Sequence, residues 1–220
     1  MTLDYVVIKV IETVLLLMKA KMIKILGISA SPRKAATDYV VRKALKYAGE
    51  LGAVETEYFS VHRKEINFCI HCDHCIREGG CIYSDGMLEL YPLLLRADAI
   101  IIGTPVYQGT VSGQAKVLMD RCRALVARDV HALSGKVGAA VAIGGDRSGG
   151  QEIAIRTIID FFLINEMIPV GGGSFGANLG ASIWSKDKKA EGAAADGVGL
   201  ESLHKTVKRL VEAYRIYRNH

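Results

Sequence analysis

Ile23 to Ile28 is an apolar run broken only by Lys24, and it ends abruptly in Ser29-Ala30-Ser31-Pro32-Arg33. A strand this apolar is buried on both faces, the position of a central strand in a parallel sheet covered by helices. The rest of the chain repeats the theme. Ala36 to Leu51 is a helical stretch with Val40, Val41, Ala44, Leu45 and Ala48 on one face, closed by Gly52. Strands are expected at Val54 to Phe59, Ala99 to Gly103, Val137 to Ile143 and Met167 to Val170. Helices are expected between them at Gly86 to Arg96, Gly113 to Val126 and Gln151 to Glu166. Leu200 to Tyr217 ends the chain as a helix, and residues 171–199, rich in Gly, Ala and Ser, read mostly as loop. Such alternation predicts an α/β fold, a parallel sheet between two helical layers. In these sheets ligands sit beyond the carboxyl ends of the strands.

The 220 residues, 50% of them hydrophobic, are enough for one domain with a real core, placed at 22–220. Residues 1–21 form a separate apolar extension. Its run from Val6 to Met18 is interrupted by Lys9 and Glu12 and falls short of the ~20 apolar residues of a membrane span. It reads as an amphipathic helix on its own domain or on another subunit. Alternatives are Met22 as the natural start and a helix on a membrane surface. The net charge of +5 is not gathered into a Lys/Arg block, so nothing points to nucleic acid. With no secretory signal, the chain is expected in the reducing cytoplasm, where disulfides are rare.

The connection after the first strand, Ser29 to Thr37, groups hydroxyls and the Arg33 guanidinium at a helix N-terminus, a combination that suits a phosphate monoester. It is neither a Walker loop nor a G-x-G-x-x-G fingerprint, and an ordinary N-cap and turn explains the same residues. After the third strand, Thr104-Pro105-Val106-Tyr107-Gln108-Gly109 offers an aromatic edge and close backbone approach. After the fourth, Gly144-Gly145-Asp146-Arg147-Ser148-Gly149 offers backbone N–H donors. Any one could be a plain connection; three at the same ends of strands point to a binding site.

Between the second strand and the next helix, about residues 66–84, Cys69, Cys72, Cys75 and Cys81 follow the spacing C-x2-C-x2-C-x5-C. Three thiolates three residues apart on a tight curl, with a fourth reached across Gly79-Gly80, can hold the corners of an iron–sulfur cubane. A mixed zinc site joined by His71 or His74 fits three cysteines in such close succession less well. A relic loop with no metal is a further alternative. Cys122, on an expected helix, reads as a buried structural residue.

From Met22 onward the chain resembles the NAD(P)H-dependent FMN reductases of the flavodoxin-like superfamily. The marks are Ser29-x-Ser31-Pro32-Arg33 with Thr37, then Thr104-Pro105-Val106-Tyr107, then Lys116 to Arg121. With the cysteine insertion, it resembles the iron–sulfur flavoproteins of anaerobic archaea and bacteria. The resemblance implies a flavodoxin-like three-layer fold, its five-stranded parallel sheet ordered 2-1-3-4-5. It implies FMN bound at Ser29, Ser31, Pro32, Arg33, Thr37, Pro105, Val106, Tyr107, Gln108, Gly109, Gly145, Asp146, Arg147 and Gly149. It implies a [4Fe–4S] cluster on the four cysteines, and a homo-oligomer, dimer or tetramer. The expected activity carries electrons from ferredoxin or a similar one-electron donor to FMN, and on to oxygen, peroxide or a quinone. The alternatives are an NAD(P)H-dependent FMN or quinone reductase with structural cysteines, and a pure electron carrier. Trp184 reads as a plug for its loop, and the run Lys186 to Lys189 as a solvated turn.

Overall fold

The computed structural model describes residues 22–218, so the expectations for residues 1–21 lie outside the described residues. The central strand β1 (Ile23–Ser29) runs parallel to β2 (Val54–Ser60) on one side and to β3 (Ala99–Tyr107) on the other. Next come β5 (Val137–Gly144) and β6 (Ile168–Val170), giving the order β2-β1-β3-β5-β6. Counted over these five parallel strands, this is the expected order 2-1-3-4-5.

The core divides into two layers because β1, β3 and β5 are apolar on both faces. On one face, α1 (Ala36–Glu50) and the last helix, α8 (Gly197–Arg218), bury Val40, Ala44, Leu203, Val207 and Leu210. The other face carries α3 (Met87–Arg96), α4 (Gly113–Arg121) and α6 (Gln151–Ile164), with Leu90, Leu94, Leu118, Ile158 and Phe162. Gly103 lets α1 lie close on β3, since a Cβ there would stand 2.3 Å from a Val41 methyl carbon.

The structure departs from the sequence reading in the second half. β3 runs on to Tyr107 and turns back through β4 (Thr110–Val111) as a short antiparallel hairpin. The helix expected over Gly113 to Val126 is divided at Cys122 into α4 and the single turn α5 (Arg123–Val126). The supposed loop after residue 171 holds β7 (Ala181–Trp184), which pairs with the upper half of β5 where β6 pairs with the lower half, and then α7 (Lys189–Ala194). The edge position is therefore filled by two short strands with residues 171–180 bulging between them. No helix among the described residues is long and apolar enough to cross a membrane.

Candidate functional site

A cleft of about 230 Å³ opens beyond the carboxyl ends of β1, β3 and β5. Ser31, Arg33 and Thr37 line it from the first connection, Pro105, Val106 and Tyr107 from the end of β3, and Gly145 from the loop after β5. The sequence reading placed all seven there. Ser185, Asp187 and Lys189, from the segment after β7, complete the wall; the sequence reading assigned them no part.

The remaining expected residues stand outside this lining, each for a visible reason. Ser29 lies under the loop, its Oγ buried beside the Tyr58 hydroxyl without a hydrogen-bond partner. Pro32 turns its carbonyl to His62 Nδ1 at 2.7 Å. Gln108 and Gly109 form the turn of the β3–β4 hairpin, with φ of +49° and +82°. Asp146 and Gly149 bind Gln151 at the start of α6 through the Asp146 carbonyl (2.5 Å) and the Gly149 amide (2.8 Å). Arg147 donates to the buried Asp196 carboxylate at 2.6 Å and lies 4.9 Å from the Trp184 ring centroid. A carboxylate buried at Asp196 needs a cation, and that need takes Arg147 away from the cleft. Burial works against the Asp196 charge, yet Arg147 and the Trp184 amide hold its carboxyl below the usual range.

The polar groups of the cleft fit an anion. Ala35, the N-cap residue of helix α1, has no side chain to cap it, so the helix's first amides are left without a side-chain acceptor. Thr37 is only 2% exposed yet lines the cleft, and Arg33 stands beside it. Free donors at the positive end of a 15-residue helix suit a phosphate.

The four cysteines of the insertion line one small depression, together with Arg121 and Arg123. Cys75 is buried, Cys72 and Cys81 half-buried, and Cys69 exposed; all are free thiols. His71 and Asp73, with φ of +52° and +55°, curl the backbone on either side of Cys72, and α2 (His74–Glu78) carries Cys75. Pairing with Asp73 first, and then the nearby Cys75 and Cys69, favour the charged Arg123 guanidinium. Among the described residues no three His, Cys, Asp or Glu side chains converge on one ion's position. His74 is turned to the Gly80 carbonyl at 3.0 Å.

The stem of this loop is closed by one buried ion pair. Arg121 donates to Asp85 at 2.7 and 3.1 Å and to the Asn67 carbonyl at 2.7 Å. Asp85 also accepts from the Asn67 and Met87 amides at 2.9 and 3.0 Å. Burial pushes the Asp85 carboxyl up, but Arg121 and these amides outweigh it and hold it at about 2. A carboxyl depressed below its unfolded value stabilises the fold above that value and loses the effect as pH falls through the folded one. About 2 kcal/mol of stability is therefore expected to disappear between roughly pH 4 and pH 2. Urea unfolding across that window checks it, and Asp85→Asn should flatten this part of the profile. Cys122, by contrast, has its thiol pushed up to about 12 by burial and stays a protonated core residue.

Residues 23–182 match the family described as NADPH-dependent FMN reductase. An iron–sulfur flavoprotein of Methanocaldococcus jannaschii is 60% identical over 193 residues, 87% of this chain and 97% of that protein. Another, from Archaeoglobus fulgidus, is 53% identical over 188 residues, 86% of this chain and 95% of that one. Among solved structures, RosB with a bound intermediate aligns with a TM-score of 0.70 at 16% identity, covering 90% of this chain and 81% of that one. A WrbA-like flavodoxin from Agrobacterium tumefaciens aligns at 0.61 and 15%, covering 88% and 97%. These two speak for the flavodoxin-like fold alone. The full-length identities carry more: this chain is an oxidoreductase of the NADPH-dependent FMN reductase family and belongs to its iron–sulfur flavoproteins.

Proposed function

We propose that this protein binds FMN in the cleft and a [4Fe–4S] cluster on Cys69, Cys72, Cys75 and Cys81. In this reading it takes electrons from a one-electron donor such as ferredoxin and delivers them to a small acceptor: oxygen, peroxide or a quinone. The observation that carries the reading is the presence of two distinct sites in one domain, an uncapped helix start in an open cleft and four free thiols around one depression. When bound, the cluster exchanges single electrons and the flavin one or two, which joins a one-electron donor to a two-electron acceptor.

The chain's own residues do the rest. Ser31, Arg33, Thr37 and the amides of α1 anchor the phosphate, while Pro105, Val106 and Tyr107 offer the flavin ring a wall that excludes water. Arg121 and Arg123 line the cysteine depression, each held there by a carboxylate, Asp85 and Asp73. Around the cysteine loop, exposed Phe68, Ile70 and Ile76 are accompanied by exposed Arg77 and Arg128. An apolar patch with cations at its rim suits an acidic carrier protein. The protein is further proposed to work as a homo-oligomer, dimer or tetramer.

Anaerobic protein is expected to contain about four iron, four sulfide and one FMN per chain, measured by metal, sulfide and flavin analysis with a visible spectrum. FMN without iron would overturn the two-centre reading. The family description favours a second reading, direct reduction of the flavin by NADPH. Rapid anaerobic bleaching of the flavin by NADPH alone would support it.

A further inference from the structure

The run Ser185-Lys186-Asp187-Lys188-Lys189 has the composition of a solvated turn, but the fold uses it as a strap over the cleft. It is fastened to the sheet at its start, where Ser185 N and Oγ both donate to the Gly144 carbonyl at 2.9 and 3.0 Å. The Lys188 amide donates back to the Ser185 carbonyl at 2.8 Å, and Lys186 Nζ lies 4.7 Å from the Trp184 ring centroid. Lys186, Asp187 and Lys189 all take left-handed backbone, with φ of +53°, +52° and +53°. Side chains with a Cβ resist that conformation, which persists where the surroundings hold it.

Asp187 also lines the cleft, with its carboxylate on the side of the loop after β5: a Cβ on Gly145 would stand 2.5 Å from its Oδ1. Lys189 lines the cleft with Arg33, Ala35, Ala36 and Thr37, and the helix it opens, α7, packs on α1. We propose that Lys189 is a direct ligand of the flavin phosphate, adding to Arg33 a second cation at the uncapped start of α1. A phosphate monoester carries close to two negative charges at neutral pH, and with the Asp187 carboxylate in the same cleft Arg33 alone would leave it under-compensated, which calls for the second cation. The inference rests on the FMN reading above and names a residue of that site which the sequence reading left to solvent.

The test is flavin binding by the full chain after removal of its flavin, followed by fluorescence quenching. FMN and riboflavin, which differ only in the phosphate, are titrated separately into the wild type, Lys189→Gln, Lys189→Arg and Lys188→Gln. Lys189→Gln is expected to weaken FMN tenfold or more, roughly the loss of one charge-assisted hydrogen bond, and to leave riboflavin unchanged. Lys189→Arg should restore most of the affinity, and Lys188→Gln should bind both flavins as the wild type does. Lys189→Gln that binds FMN normally, or that weakens both flavins equally, overturns the assignment. A wild type that binds riboflavin as tightly as FMN would bring down the phosphate site itself, and this inference with it.

Discussion

Replacing Asp85 by Ala is expected to cost about 3–5 kcal/mol of stability, the loss that follows when one member of a buried ion pair is removed. The partner left behind is Arg121, whose side chain is 1% exposed and whose Nε already lacks a hydrogen-bond partner. Without Asp85 the guanidinium keeps the Asn67 carbonyl and the face of Tyr83, 5.2 Å from the ring centroid, and loses its carboxylate partner. The measurement is thermal and urea unfolding of wild type and variant at pH 7. Arg121→Met tests the same bond from the other side; it strands the buried Asp85 carboxylate with only the Asn67 and Met87 amides, and a loss of similar size is expected. Equal stability for Asp85→Ala and wild type would show that the pair is not the clasp described above.

Replacing Cys72 by Ala carries the largest functional effect. It is expected to abolish flavin reduction by reduced ferredoxin while leaving FMN bound, because no residue of the cleft lining belongs to the cysteine depression. Flavin content and anaerobic stopped-flow reduction are the two readouts. Ferredoxin reducing the flavin of this variant at the normal rate would end the relay proposal. Loss of both cofactors would instead show that the two sites depend on each other for folding.

The sheet was legible in the sequence because β1, β3 and β5 are buried on both faces and read as nearly continuous apolar runs. The first connection and the end of β3 were legible for a related reason: residues at the carboxyl end of a central strand have one place to go. The far edge was not. Ala181 to Trp184 is short, mixed in character and flanked by glycine and lysine, so its pairing with β5 is a tertiary fact with little local signal. Missing that strand hid everything it carries, including Ser185, Asp187 and Lys189 in the cleft. Arg147 stands outside the cleft lining for an electrostatic reason: its partner, Asp196, lies 49 residues away and buried. His62, which no local pattern marks, holds the Pro32 carbonyl and so ties the cysteine connection to the phosphate loop.

Arg121, Asp85 and Asn67 bring the two ends of the cysteine loop together with groups that belong entirely to the polypeptide. In a zinc finger the metal itself closes the fold, so the metal-free chain is unstructured. Here the loop's ends are already joined before any iron arrives, and most of the entropy of closing it has been met by the folded domain. Folding and iron loading are therefore expected to be separate events, and a chain stripped of iron by a chelator is expected to take it up again without unfolding.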